Sequence, residues 1–253
     1  MLNKQEIAYW CVVQDRKLYL PQGNLPLLSK SELVFSTDAA RKIGEYDNHA
    51  VYWLEAPEEV DCADFHSQRE LLNVPPALFD LAGRATQLSH MLHNQQYCSS
   101  CGGQCQLGQR EIAMVCQQCD SHHYPRVSPC VIVAVRRGDE LLLAQHPRHK
   151  TGMYTVIAGF VEAGETLEQC VAREVLEETG ITVSNIRYVG SQPWAFPSNL
   201  MMGFLADYQS GELKPDYTEL SDAVWATKDT LPDVAPKGTI ARYLIELSLE
   251  QMK

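Results

Sequence analysis

The 253-residue chain has no apolar stretch of membrane-spanning length, so no helical membrane anchor is expected. Its opening, MLNKQEIAYW, lacks the basic segment and apolar run of a secretory signal, which sets the expectation of a cytoplasmic protein. Positive charge is scarce: 21 Lys and Arg stand against 32 Asp and Glu, for a formal net charge of −11. That deficit counts against a broad nucleic-acid footprint, which needs a basic face. Small charged substrates handled through metal ions stay compatible with it. There is no internal repeat and no low-complexity tract. Cysteine, by contrast, is plentiful. Nine cysteines without an export signal point to thiols or metal ligands, not disulfides. Hydrophobic content of 45% and charged content of 21% are those of a soluble globular protein with an ordinary core.

The densest chemistry lies in Gly159 to Ile181, GFVEAGETLEQCVAREVLEETGI. Gly159, Glu165, Arg173, Glu174, Glu177, Glu178 and Gly180 fall at the spacing G-x5-E-x7-R-E-U-x-E-E-x-G-U, with Val175 and Ile181 at the bulky apolar U positions. Thr166 with Gln169 makes a capping-box start and Gly180 a natural stop, so the pattern predicts a helix over Leu167 to Thr179. At about 100° per residue, Glu174, Glu177 and Glu178 share one arc, while Ala172, Val175 and Leu176 point the opposite way. Crowded carboxylates repel, and divalent cations relieve the repulsion; hard oxygen ligands suit Mg²⁺ or Mn²⁺. An isolated glutamate-rich stretch usually marks a solvated helix face. Here all the fixed positions match at once, and the stretch resembles the signature of the Nudix hydrolases without a mismatch. That resemblance implies an α/β/α sandwich and metal-dependent hydrolysis of a nucleoside diphosphate linked to another group.

Upstream stands YCSSCGGQCQLGQREIAMVCQQCDSHHYP. Cys98-x-x-Cys101 and Cys116-x-x-Cys119 are two knuckles separated by fourteen residues, the spacing of a four-cysteine zinc ribbon with a hairpin between. A redox C-x-x-C is the rival reading, and two copies outside a thioredoxin-like pattern argue against it. Cys105 is the odd thiol, and His122 and His123 are poorer ligands. A closed four-thiolate shell leaves no open position, so the expected role is structural, with one zinc per chain.

Before the ribbon no chemical motif is legible. Ile7 to Val13, Lys17 to Leu20 and Val51 to Glu55 read as strands, with turns at Pro21-Gln22-Gly23-Asn24 and Asp47-Asn48. Pro75-Pro76 opens a helix to about His93. Cys11, Cys62, His49, His66 and His90 have no partner at ligand spacing and read as packing or surface. After the ribbon, Pro129 to Val135 and Glu140 to Gln145 read as a hairpin turning at Arg137-Gly138-Asp139, and Tyr154 to Ala158 as a strand leading to Gly159. Strands follow near Ile186 to Gln192, Leu200 to Tyr208 and Ala223 to Thr227, then a helix from about Thr239 to Gln251. Mixed strands with helices on opposite sides fit three layers. The Arg136-Arg137 and Arg148-His149-Lys150 clusters read as solvated, with a phosphate seat as the minor alternative.

Ser191-Gln192-Pro193-Trp194-Ala195-Phe196-Pro197-Ser198-Asn199 sets two aromatics among prolines. Proline removes ladder donors, so the segment is expected to be a stiff loop and not a regular central strand, suited to stacking flat rings. Aromatics that merely cap the core are the ordinary alternative. The combination of ribbon, signature and this loop resembles the NAD(H) pyrophosphatases, whose loop reads S-Q-P-W-P-F-P-x-S. The resemblance covers residues 94 to the end. Ala195 stands where that family has proline and Asn199 where it has serine, which puts some selectivity in doubt and leaves Trp194 and Phe196 in place.

Carried over by position, the resemblance implies catalytic Glu174, Glu177 and Glu178, and Mg²⁺ or Mn²⁺ held by Glu174, Glu178, Glu219 and the carbonyl of Ala158. It implies substrate contacts from Gln192, Pro193, Trp194, Ala195, Phe196, Pro197, Ser198, Asn199, Glu111, Tyr124 and Ala241, and from Arg69, which no local motif anchors. It also implies a homodimer whose pockets draw on both subunits. The expected organisation is an N-terminal α+β domain over 1–93, a ribbon over 94–125 and an α/β Nudix domain over 126–253. The expected reaction splits the pyrophosphate of NADH or NAD⁺ into nicotinamide mononucleotide and AMP, and removes the NAD cap from RNA 5′ ends. A cluster glutamate or Glu219 serves as base. ADP-ribose or another nucleoside diphosphate derivative as substrate, and a nucleotide-sensing module without catalysis, are the competing readings.

Overall fold

Ala8 to Val13 is an unbroken apolar run, the pattern of a strand covered on both faces. In the computed structural model, which describes residues 6–57, 60, 63–147 and 152–251, this run is β1 (Ile7–Gln14). Cys62 and the Arg148-His149-Lys150 cluster lie outside the described residues. The chain divides into two compact units, one of residues up to Val127 together with Trp194–Ser198, the other of Ser128–Pro193 with Asn199 onward.

In the first unit, β1 is joined by β2 (Lys17–Tyr19), β3 (Leu27–Ser29), β4 (Arg41–Tyr46), β5 (His49–Glu55) and β6 (Phe65–His66). The sheet order is β4-β5-β1-β2-β6, with β3 also on β1. Cys11 and Val13 on one face of β1 pack with Leu78, Phe79, Ala82 and Leu88 of α1 (Pro76–Asn94). Ala8, Trp10 and Val12 on the other face pack with Leu33 and Phe35. Asp47 and Asn48 both take positive φ (48° and 60°), the left-handed pair that closes a two-residue hairpin between β4 and β5. β3, β4 and β6, short or weakly patterned, carry no clear signal in the sequence. The ribbon adds β7 (Cys105–Leu107), β8 (Met114–Cys116) and β9 (His122–His123) as a small antiparallel sheet.

The second unit is built on β10 (Ser128–Arg137), followed by β11 (Glu140–Gln145), β12 (Tyr154–Thr155), β13 (Ile157–Phe160), α2 (Leu167–Thr179), β14 (Thr182–Trp194), β15 (Asn199–Ser210), β16 (Asp222–Ala226) and α3 (Ile240–Glu250). The order is β12-β11-β10-β15-β14, with β13 on β10 and β16 on β11. Val131, Val133 and Val135 alternate on one face of β10 and pack with Cys170, Val171 and Val175 of α2. Ile132 points the other way, in parallel register with Gly203, where an added Cβ would meet Ile240 of α3. The helices therefore cover opposite faces, and the expected three layers are present. No helix among the described residues is long and apolar enough to cross a membrane.

Two sequence expectations need correction. β14 runs on through Pro193 to Trp194, so only Ala195 to Ser198 form the turn. β14 is the edge of its sheet, the place where strands admit proline. On α2 the buried side runs through Cys170, Val171, Val175, Glu178 and Thr179, whereas Leu176 is 51% exposed. The acidic and apolar arcs overlap at Glu178 instead of opposing each other, because the core meets the helix at Val171, only about 20° from Glu178.

Candidate active site and zinc ribbon

Both ends of α2 are fixed as the sequence dictates. Thr166 Oγ1 accepts the Gln169 N–H at 3.2 Å while the Gln169 side chain accepts the Thr166 N–H at 2.9 Å, and Gly180 ends the helix at φ 72°. Glu174, Glu177 and Glu178 follow one another on this rigid rod with different exposure. Glu178 is buried at 3%, Glu174 is half-buried and Glu177 faces solvent.

Gly159 on β13 makes the close approach. A Cβ there would lie 1.8 Å from Glu174 Cδ and 2.0 and 2.1 Å from its carboxylate oxygens. The missing side chain is the space the carboxylate occupies. Ala158, whose carbonyl is a candidate ligand, immediately precedes it on the same strand. Burial pushes the Glu174 carboxyl up, Arg173 pulls it down, and the charges of Glu177 and Glu219 push it up again, for a net rise. Hard oxygen donors, one of them buried and all repelling, fit divalent cations such as the Nudix signature implies.

Arg173 orders the cluster. Its Nε and Nη2 donate to the two oxygens of Glu165 at 2.8 and 2.9 Å, and Nη2 also donates to the Phe160 carbonyl at 3.0 Å. Nη1 reaches Glu174 at 2.9 Å and Glu177 at 3.0 Å. The guanidinium holds the Glu165 carboxyl down at about 2, helped by the Glu162 N–H. The segment after β13 is thereby clamped to the helix. Phe160, 54% exposed beside Gly159, was not singled out from sequence; an apolar residue ending a strand gives no signal of its own.

The proline-aromatic segment divides by role. Gln192 spends its carboxamide inside the fold: Nε2 donates to the Gly238 carbonyl at 2.9 Å, and Oε1 accepts the Ile240 N–H at 2.8 Å. It thus pins the start of α3, where Ala241 is buried. Pro193 and Pro197 are exposed, Ala195 and Ser198 are buried at 8% and 7%, and Asn199 opens β15 in register with Ser128. Trp194 is half-buried against Phe79, with ring centroids 6.0 Å apart, and lies 5.0 Å from Phe196. The Arg69 guanidinium sits over Phe196, 4.5 Å from its centroid, so Arg69 and the aromatic turn, assigned separately from sequence, come together. Glu111 and Tyr124 are also joined. Glu111 accepts the Tyr124 hydroxyl at 3.0 Å and meets His122 Nδ1 at 2.8 Å. Neither member of the Arg136-Arg137 pair is a free phosphate seat: Arg136 bonds Asp207 and Gln251, and Arg137 bonds Glu140 and lies over Trp225.

In the ribbon, Cys98, Cys101, Cys116 and Cys119 bring their sulfurs within 4.8 Å of one another, with Cys101–Cys119 at 3.4 Å, Cys101–Cys116 at 3.5 Å and Cys98–Cys119 at 3.7 Å. A tetrahedron with bonds of about 2.3 Å to zinc has edges of about 3.8 Å, so the four thiols fit the ion. Backbone N–H groups of Ser100, Gly103 and Gln118 point at Cys98, Cys101 and Cys116. Cys98 is drawn down to about 5, first by the Ser100 N–H and then by that of Cys101. Cys101, though the Gly103 N–H draws it down, is driven up to about 12 by the neighbouring thiols of Cys119 and Cys116. Thiolates so close together repel one another, and a cation among them would relieve the repulsion. Cys105 is outside the four, and His123 meets the Cys98 sulfur at 3.2 Å. Cys116→Ser is expected to remove zinc and lower the melting temperature by roughly 5 °C or more, by the scale on which structural metal loss acts. Metal analysis beside a thermal melt checks this, and full zinc with unchanged melting would refute the structural role.

A mixed sheet between two helices, with acidic residues on a glycine-cradled helix, defines the Nudix class of hydrolases. Comparison with known proteins agrees. Residues 125–247 match the NUDIX domain family and residues 93–124 the NADH pyrophosphatase zinc ribbon domain. The crystal structure of a NUDIX hydrolase from Nitrosomonas europaea superposes with a TM-score of 0.54 at 25% identity, over 62% of this chain and 92% of that one. The NAD-capped RNA hydrolase NudC of Photobacterium profundum is 70% identical over 253 residues, 100% of this chain and 95% of that one. Its counterpart in Vibrio cholerae is 57% identical, over 96% of this chain and 90% of its own length. The chain belongs to the NudC family of Nudix hydrolases.

Proposed function

We propose that this protein hydrolyses the pyrophosphate bond of NADH and NAD⁺, releasing nicotinamide mononucleotide and AMP, and removes the same group as a cap from RNA 5′ ends. The reading is carried by the Gly159–Glu174 approach within a chain 70% identical, end to end, to an NAD-capped RNA hydrolase. Glu174, Glu178, Glu219 and the Ala158 carbonyl would hold Mg²⁺ or Mn²⁺. Such ions supply charge neutralisation on the diphosphate and an acidified water. Water oxygen bonds to one phosphorus as the bridging P–O bond breaks, and the lost proton goes to a carboxylate of the cluster or to Glu219. Exposed Glu177, held by Arg173, is free of the core and suited to that transfer. Flat rings of the dinucleotide would stack on Phe196 and Trp194, with Arg69, Glu111 and Tyr124 adding charge and hydrogen bonds. Ala195, Pro197 and Ser198 of the first unit, and Pro193, Asn199 and Ala241 of the second, are the remaining substrate contacts that the family resemblance implies, and Gln192 would act by holding α3. The proposed division is an N-terminal domain over 1–93, a structural zinc ribbon over 94–125 and the hydrolase over 126–253. A cytoplasmic homodimer completes the reading.

Product analysis after incubation with NADH, ADP-ribose and ATP, each with Mg²⁺ or Mn²⁺, tests it. AMP with reduced nicotinamide mononucleotide, and slow cleavage of the others, is the expected result. Preference for ADP-ribose would show that Ala195 and Asn199 redirect selectivity, and no cleavage at all would favour a sensing module. On NAD-capped RNA, the charge of −11 leads us to expect few contacts beyond the cap and a shallow dependence of rate on salt. A steep slope of log rate against log salt would contradict this.

A further inference from the structure

We propose that Asp216 is a positioning residue that sets Glu219 against the acidic helix and thereby tunes the protein's divalent-cation affinity. The inference rests on the reading of Glu219 as a metal ligand. Residues 211–221, between β15 and β16, contain no helix or strand, yet they are fastened at named points. Lys214 N–H donates to the Thr179 carbonyl at 2.9 Å, and Asp216 N–H to the Glu178 carbonyl at 2.8 Å. Both acceptors are at the C-terminal end of α2, where carbonyls have no partner within the helix.

Asp216 then reaches forward. Its carbonyl accepts the N–H groups of Glu219 at 3.0 Å and Leu220 at 2.9 Å. Its Oδ1 accepts the Thr218 N–H at 2.9 Å and the Thr218 hydroxyl at 2.8 Å. One residue is thus hydrogen-bonded directly to the backbone of Glu178 and of Glu219, two of the acids assigned to the cation. Leu220, 1% exposed, sinks into the core beside Val171 and Val175 and anchors the far side of the turn.

The main-chain bonds survive any substitution, so what the side chain adds is the closure onto Thr218. Without it, the turn that carries exposed Glu219 keeps its main-chain bonds, and Thr218, directly before Glu219, loses the two bonds that tie it to Asp216. The Asp216 side chain serves here as the acceptor of two bonds, both from Thr218. Its role does not need the charge, because an asparagine Oδ1 accepts the same two bonds.

Calorimetric titration of the full-length protein with Mn²⁺ alone, paired with the Mn²⁺ dependence of NADH turnover, tests the proposal. Asp216→Ala is expected to weaken Mn²⁺ binding by about tenfold, the low end of the effect of partners that orient metal ligands. Asp216→Asn should restore it to within about twofold. Glu219→Gln should weaken binding as well, and the double variant Asp216→Ala with Glu219→Gln should be no weaker than Glu219→Gln alone. Unchanged Mn²⁺ binding in Asp216→Ala, with Glu219→Gln impaired, would overturn the role of Asp216 alone. Unchanged binding in Glu219→Gln would remove the ligand reading of Glu219 and this role with it. Equal impairment of the alanine and asparagine variants would overturn the hydrogen-bond argument. A melting temperature lowered in Asp216→Ala without a change in Mn²⁺ affinity would reduce Asp216 to a structural part of the turn.

Discussion

Glu178→Gln is expected to lower kcat for NADH by about 10³-fold or more, the order seen when a group that stabilises transition-state charge is removed. It should do so without loss of fold. Glutamine matches the glutamate in shape and keeps one carbonyl oxygen, so packing beside Val171 and Val175 is preserved. A carboxylate only 3% exposed is a costly group to bury, and the neutral amide removes that cost. The melting temperature should therefore hold or rise while activity collapses. Such opposition of stability and activity marks a residue kept for chemistry. Near wild-type turnover would refute its metal role. Collapse of both activity and melting would mean that the residue serves the core.

This placement also explains why sequence periodicity misjudged the helix. Counting around α2 groups the three glutamates on one arc, and that grouping is geometrically sound. It does not say where the core begins. Val171 and Val175 lie just beyond Glu178 on one side of the arc, so Glu178 is buried with them, and Leu176, apolar by type, is left outside. Hydrophobic patterning assumes that carboxylates avoid the interior, and α2 breaks that assumption at Glu178. The ends of the same helix were legible to the residue, because Thr166, Gln169 and Gly180 encode local geometry that no tertiary contact needs to supply.

The aromatic segment was legible in composition and not in conformation. Proline argues against a central strand, yet strand rank within a sheet is a tertiary fact, and β14 is an edge. The side chains around it could not be read in advance either. Gln192 carries no mark that separates a substrate contact from a clasp on α3, which only the positions of Gly238 and Ile240 reveal. Arg69 lies 127 positions before Phe196 in sequence, and no local pattern joins them. The ribbon is the opposite case. Its four clustered cysteines were legible from spacing alone, because C-x-x-C turns carry their own geometry and the N–H groups aimed at the sulfurs come with them.

Gly159→Ala is the smallest change expected to disable the site. Gly159 does not have positive φ, so alanine meets no backbone strain there, and the exchange is expected to shift stability by no more than about 1 kcal/mol. The new methyl would stand 1.8 to 2.1 Å from the Glu174 carboxylate, far inside contact distance. A carboxylate is the free end of a flexible side chain, so the conflict resolves by Glu174 swinging away and not by unfolding. The swing would also break its 2.9 Å bond to Arg173. Misplacing a ligand by an ångström or more is expected to cost about 10²-fold in kcat and raise the Mn²⁺ requirement. Shortening the displaced group by Glu174→Asp in the same chain relieves the clash, so the double variant should lose no more than Gly159→Ala alone. A single variant that melts and turns over like the parent would mean that Glu174 does not hold the cation where the cradle puts it. One that no longer folds would mean that the space beside β13 belongs to the core.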